Sequence, residues 1–418
     1  MKKFSWSIRR ILILCLCLVL LAGTACAEKL HFLSTGDWDY LGYGCTLPDG
    51  RIVLVGTRTV YLEDYMTGAW VLCLNPDRTV SWEAVEGDKN GAFSASEAAM
   101  LPDGTIGVVF DGYINEQNVV IVKTYTQDGQ LTGKGFETPE GYLSIDASPS
   151  WVMLYRWDEE KETDETVLFD WDGKELLRYD GFGMPGAFGG PVGNTDELVL
   201  AGRDAMDNSH AKIMKLDGLT GRALWETTLD RQLPDTTDAR IRRGIRTGDG
   251  DYIVVLTEGK RESETRQYAW NSFLAKFDAE GRVQRIDGES FARDSLDAYH
   301  VFSCGGKIGV YCCPQQSAGR DSFRPLVFRW FDEDCKEIGT TEVNLDLKDF
   351  PTIRHFLGWE PDETNPEPTA SVEAVIPMAD GLWALAICAV STTDSEGIHG
   401  TVVDSNELVL IRIPELSE

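Results

Sequence analysis

The sequence predicts an all-β chain, a single β-propeller of seven four-stranded blades whose ring is closed by an N-terminal strand pairing with the C-terminal blade. Three observations carry this expectation. A two-hairpin unit recurs about every fifty residues, no apolar 3.6-residue period persists beyond a turn or two after residue 27, and the last unit is one strand short.

The first half of the unit is a strand, a tight turn and a strand. It is clearest in Leu47-Pro48-Asp49-Gly50-Arg51-Ile52-Val53-Leu54-Val55 and again in Leu101-Pro102-Asp103-Gly104-Thr105-Ile106-Gly107-Val108-Val109. Weaker copies surround Pro149-Ser150, Thr195-Asp196, Asp249-Gly250, Gly305-Gly306 and Asp380-Gly381, which makes seven. Pro pre-sets the dihedral at the second turn position, and Asp and Gly tolerate the left-handed region, so each copy is a hairpin with a mechanism. The second half repeats the strand, turn and strand through Asn75-Pro76-Asp77, Gln127-Asp128-Gly129, Trp171-Asp172-Gly173, Ala279-Glu280-Gly281 and Glu333-Asp334-Cys335. Two hairpins per unit give four strands per blade.

Closure supports the count. The seventh unit ends on Leu408-Val409-Leu410-Ile411-Arg412-Ile413, a third strand with no fourth after it. Leu30-His31-Phe32-Leu33, just ahead of the first unit, is a spare strand that would cover that open edge. A long insertion, 345–371, precedes the last turn and leaves six or eight blades as the alternative counts.

Lys215-Leu216-Asp217-Gly218-Leu219-Thr220-Gly221-Arg222-Ala223-Leu224-Trp225-Glu226 resembles the repeat of quinoprotein-type (PQQ-like) propellers, in which a Thr-Gly turn leads to a Trp that docks between blades. The resemblance implies a propeller of the broad PQQ-like and WD40-like superfamily. It implies no quinone, because the channel residues such a cofactor needs are not identifiable, and the other units keep only the Asp-Gly turn. Asn75 to Trp82 is a looser match to the Asp-box turn of sialidase-type propellers, with Thr79 in place of glycine.

Residues 1–27 read as a secretory signal: Lys2, Lys3, Arg9 and Arg10, an apolar run Ile11 to Ala22, and Ala25-Cys26-Ala27 before the cut. The run is shorter than the about 20 residues of a stable span. Acylation of Cys26 is the alternative, against which Gly23 stands where a branched aliphatic side chain is usual. The expected product is an extracytoplasmic domain, 28–418, with no direct membrane insertion. Cleavage removes four basic and no acidic residues, taking the formal charge from −29 to −33. So acidic a surface repels phosphate backbones and anionic headgroups, which excludes nucleic acid as a partner.

Seven cysteines follow the signal, mostly in apolar strands such as Ile308 to Cys312, where a thiol acts as a small hydrophobe. The five histidines share no ligand spacing, and no nucleophile elbow or phosphate loop occurs. No cofactor is expected. Calcium is the one ion with candidate ligands, at Asp170-Trp171-Asp172-Gly173 and Asp332-Glu333-Asp334, neither of which continues into a full binding loop.

Arg240-Ile241-Arg242-Arg243-Gly244-Ile245-Arg246 is a dense basic run in an acidic chain, placed where the fifth blade's innermost strand should line the channel. Arg240, Arg242 and Arg243 are therefore candidates to hold an anionic ligand or acidic glycan through guanidinium contacts. The long connections, 58–68, 259–271, 314–324, 345–371 and 391–406, all fall at the end of the ring opposite the Asp-Gly turns. Long loops on a rigid frame are where binding is built. Tyr268, Trp270, His355 and Trp359 are the candidates there, with Phe323 among the aromatics expected to be exposed. The function expected is a non-enzymatic binding or protein-interaction propeller that takes a protein, peptide or glycan on the long-loop face. The alternative is a glycoside hydrolase or lyase with carboxylates at the channel mouth.

Overall fold

The computed structural model describes residues 30–414 and 416 except 35–38, 61–65, 88–90, 115–116, 139–140, 159–162, 181–197, 204–209, 218–221, 262–267, 287–295, 315–322, 351–352, 354–366 and 394–400. These residues form seven antiparallel sheets arranged as the blades of a propeller.

After β1 (Leu30–Ser34), the first blade is β2 (Tyr40–Thr46), β3 (Ile52–Val60), β4 (Met66–Leu74) and β5 (Val80–Glu86). The second is β6 (Gly91–Met100), β7 (Ile106–Ile114), β8 (Gln117–Tyr125) and β9 (Leu131–Glu137). The third is β10 (Leu143–Ala147), β11 (Val152–Asp158), β12 (Thr163–Phe169) and β13 (Glu175–Asp180). The fourth shows β14 (Leu198–Arg203), β15 (Ala211–Leu216) and β16 (Ala223–Leu229), and the innermost strand expected before Thr195-Asp196 lies outside the described residues. The fifth is β17 (Asp238–Arg246), β18 (Tyr252–Arg261), β19 (Tyr268–Phe277) and β20 (Val283–Ile286). The sixth is β21 (Leu296–Cys304), β22 (Lys307–Pro314), β23 (Leu326–Phe331) and β24 (Glu337–Val343). In the seventh, β25 (Glu367–Met378), β26 (Gly381–Thr393) and β27 (Thr401–Arg412) are completed by β1, in register Leu30↔Ile411 and His31↔Leu410. The expected closure is present: β1 pairs with the edge of β27 and completes a four-stranded seventh blade.

The ring holds together because strand side chains alternate between two faces. On β3, Ile52 and Leu54 pack toward the seventh blade while Val53 and Val55 pack toward the second. On β26, Trp383 and Leu385 face the first blade and Ala384 and Ala386 the sixth. Seven apolar clusters result, one at each junction between neighbouring blades. Cys45, Cys73, Cys312, Cys335 and Cys388 are buried within these layers.

The Trp225 indole reaches across a blade junction, donating to the Ala279 carbonyl at 3.1 Å. Trp82 does the same toward Gln127 at 2.9 Å. The turns proposed for calcium are hairpin turns whose first carboxylate caps its own backbone. Asp170 accepts from the N–H of Asp172 and Lys174, and Asp332 from those of Asp334 and Lys336.

Two expectations about the long connections need correction. The segment 259–271 is largely strand, since β18 and β19 continue their ladder through Gly259↔Trp270 and Arg261↔Tyr268. Phe323 is not exposed: it is buried, its ring 4.8 Å from that of Phe350, in the core between the sixth and seventh blades. Leu345 and Ile353 join it, so the start of the 345–371 insertion plugs a blade junction. The sequence could not show this, because an aromatic flanked by polar residues reads alike on a loop and in a plug.

Candidate functional site

The central channel contains a cavity of about 350 Å³ walled by the innermost strands β2, β6, β10, β17, β21 and β25. Its volume lies within the range of small-molecule sites. Tyr40, Glu97, Asp146, Arg243, His300 and Glu373 line it, together with Tyr43, Ser96, Trp151 and Phe302.

A repeated backbone device puts those side chains there. Each of the six inner strands has a β-bulge, at Tyr43/Cys45, Ala95/Glu97, Ser144/Asp146, Ile241/Gly244, Ala298/His300 and Val372/Ala374. A bulge sets two residues against one on the partner strand and re-aims side chains there. Glu97, Asp146, Arg243, His300 and Glu373 all sit at or beside these bulges. At Gly44 the first blade's bulge comes so close to the second blade that an added Cβ would lie 2.7 Å from that of Ala98.

Hydrogen bonds lock neighbouring bulges together. Asp111, on β7 of the second blade, accepts from the Ser144 backbone N–H of the third at 2.9 Å and also from the Ser144 hydroxyl. The Ser144 and Ser96 hydroxyls are joined at 2.8 Å. Glu97 and Asp146 are thus held beside each other by backbone that cannot slip independently. Between the neighbouring first and seventh blades, Tyr40 donates to Glu373 at 3.2 Å.

The site's electrostatics follow from its depth. Burial, the neighbouring Asp146 carboxylate and Asp111 push Glu97 well above the usual carboxyl range, against the pull of Arg243. Burial raises Asp146 to about 6 in spite of a backbone hydrogen bond from Ala147 and the Arg243 charge. Burial and Arg243 together lower His300 to about 4. Burial, then Glu373, raises the Tyr40 hydroxyl. Two carboxyls set apart in this way, with a neutral imidazole and a guanidinium, can donate and accept hydrogen bonds within one small volume.

Arg243 is the sequence candidate that lines this cavity. Arg240, on the same strand, lies 3.5 Å from Asp238, and Arg242 sits in the bulge with its side chain outside the described residues. Tyr268 and Trp270 are on β19, their side chains likewise outside, and His355 and Trp359 lie outside the described residues altogether. Sequence reasoning missed Tyr40, Glu97, Asp146, His300 and Glu373. Their shared signal is an ionisable or phenolic residue in an apolar inner strand a few residues ahead of each first turn. Among the described residues no helix is long and apolar enough to cross a membrane.

No family model matches the chain, and no curated protein matches it. Among solved structures, the WD40 domain of SCAP from fission yeast is 11% identical, covering 92% of this chain and 98% of that one at a TM-score of 0.36. A putative TolB from Agrobacterium tumefaciens is 13% identical over 63% of this chain and 83% of that one, at 0.34. A putative glycoside hydrolase from Bacteroides ovatus is 10% identical over 68% and 84%, at 0.31. Similarity this low assigns neither a family nor an activity.

Proposed function

We propose that this protein is an exported binding propeller that holds a glycan in its central channel. The observation that carries the reading is the make-up of the cavity wall, where aromatic side chains (Tyr40, Tyr43, Phe302) stand among Glu97, Asp146, Arg243 and Glu373. Sugar rings present an apolar C–H face and a rim of hydroxyls, and this wall offers a surface to each. Export belongs to the same reading and rests on the leader-like residues 1–27.

The test is titration of the exported chain against a glycan library by calorimetry. At least one glycan should bind, and Glu373→Gln and Tyr40→Phe should each weaken it several-fold without changing the unfolding midpoint. Binding that ignores both changes would remove the channel from the reading. A second reading, a peptide or protein partner on the face opposite the Asp-Gly turns, is favoured by the long hairpins β18–β19 and β26–β27 at that end. A partner retrieved by the wild-type chain and lost with Trp270→Ala would support it.

A further inference from the structure

We infer that the channel ligand carries a carboxylate, anchored by Arg243 and Trp151, so that the glycan class is an acidic saccharide containing uronate units. The inference rests on the glycan reading above and narrows it.

Two donors in the cavity wall lack acceptors. Arg243 is exposed in the cavity and makes no hydrogen bond or ion pair among the described residues. Other arginines of this acidic chain are committed: Arg51 to Asp49 at 2.8 Å, Arg78 to Asp380 at 2.7 Å, Arg178 to Glu175 at 2.7 Å and Arg282 to Asp278 at 2.7 Å. Trp151 is only 4% exposed, and its indole N–H is buried without a partner among the described residues. The six other tryptophans with described side chains all donate. Trp70 reaches Glu83, Trp82 Gln127, Trp171 Ser148, Trp225 Ala279, Trp330 Thr341 and Trp383 Asp380, at 2.9 to 3.3 Å.

A buried donor without an acceptor costs free energy that an acceptor brought by a ligand returns. A guanidinium gains most from a planar anion able to take two N–H bonds, which describes a carboxylate. The rest of the wall fixes the orientation. Asp146 and Glu373 repel an anion and accept from hydroxyls, while burial beside Asp146 pushes Glu97 toward its proton-donating form. A hexuronate has this layout, one carboxylate on a ring otherwise edged with hydroxyls. The chain's overall negative charge slows an anion's approach, but at physiological salt charges beyond about 8 Å are screened and the field at the wall is local.

The experiment compares uronate oligosaccharides (galacturonate, glucuronate and mannuronate) with their methyl esters, which keep the skeleton and lose the charge, by calorimetry on the exported chain. At least one acid form should bind tenfold or more tighter than its ester. Arg243→Ala should bring the two within about twofold while ester binding persists, Arg243→Lys should keep part of the preference, and Trp151→Phe should cost the acid form several-fold. Unfolding midpoints of all three variants confirm that they are folded. Equal binding of acid and ester, or a preference that survives Arg243→Ala, overturns the inference and leaves the glycan reading standing. Binding of carboxylate-bearing peptides in place of any glycan overturns both.

Discussion

Trp225 and Gly281 are in contact across the junction between the fourth and fifth blades: a Cβ added at Gly281 would lie 2.3 Å from the indole ring. Gly281 also has φ +78, in the left-handed region where a side chain is strained. Two costs therefore add in Gly281→Ala, about 1 kcal/mol for the backbone and about 1–3 kcal/mol for displacing the indole and its bond to Ala279. Gly305 shares the positive φ, at +57, but has nothing within 4 Å of an added Cβ, so Gly305→Ala should cost only the backbone term. Urea denaturation of the two variants separates these contributions, and equal losses would show that the indole contact is easily relieved.

Glu258 is a buried carboxylate with three donors on it. It accepts from the backbone N–H groups of Gln232 at 2.8 Å and Leu233 at 2.9 Å and from the Thr236 hydroxyl at 2.8 Å. The chain entering the fifth blade is fastened to β18 by this side chain, together with the Thr237 N–H, which donates to the Gly259 carbonyl at 2.9 Å. Glu258→Ala leaves three donors without their acceptor and should cost roughly 3 kcal/mol, whereas Thr236→Ala removes one bond and should cost about 1 kcal/mol. Hydrogen exchange at Gln232 and Leu233 should accelerate in the first variant, and protection unchanged there would mean other contacts hold the segment.

The fold was legible because each hairpin carries its own local chemistry. Leu47-Pro48-Asp49-Gly50 and its copies announce their turns, and Gly50, Gly104, Gly250 and Gly381 all have the positive φ that a glycine there suggests. Closure was legible because a missing strand at one end matched a spare at the other. The channel was not, since its ionisable residues Glu97, Asp146, Arg243, His300 and Glu373 come from bulges on five different blades, and a bulge is a property of paired backbones that a single strand's sequence does not display. Arg243 was found because a basic run stands out against so acidic a chain. Glu97 in Ala-Ser-Glu-Ala-Ala and His300 in Ala-Tyr-His-Val-Phe read as isolated polar residues until six strands are set in a ring. Phe323 was misplaced for a related reason, because its burial depends on Phe350, which arrives from beyond the sixth blade's last strand.

Ring closure can be tested at one arginine. Arg78 lies over the Trp383 ring at 4.3 Å, pairs with Asp380 at 2.7 Å, and offers its carbonyl to the His31 imidazole at 3.0 Å. One residue of the first blade thus touches two elements of the seventh. Arg78→Ala removes the cation–π contact and a partly shielded ion pair, and should cost roughly 1–2 kcal/mol. Because the loss falls at the seam, β1 should be the first element to open. Faster hydrogen exchange at residues 30–34, ahead of any other outer strand, is the expected result, and uniform exchange across the outer strands would argue against a weak seam.

The channel gives stability two opposing pH dependences. Asp146 has a folded pKa of about 6 against about 3.9 for the unfolded chain. Between those values the folded state binds more protons, so this residue makes stability fall as pH rises from about 4 to about 6, with no further change above. His300 is lowered to about 4 from about 6.5. Over that interval the unfolded state binds more protons, so the imidazole makes stability rise with pH, and its contribution is complete above about 6.5. Within the shared window the slopes oppose each other and wild type should change little on their account. Asp146→Asn removes the falling component, so relative to wild type it should gain stability progressively between pH 4 and 6 and hold the gain at pH 7, on the order of 1–2 kcal/mol. His300→Gln removes the rising component, so its pH-dependent part should favour the variant increasingly as pH falls from 6.5 to 4. Denaturation midpoints from pH 4 to pH 8 test both, each variant compared with wild type at the same pH so that fixed packing costs cancel. Parallel curves for all three proteins would mean that neither group is shielded from water, and the channel would then lack the low-dielectric interior that its bulged wall implies.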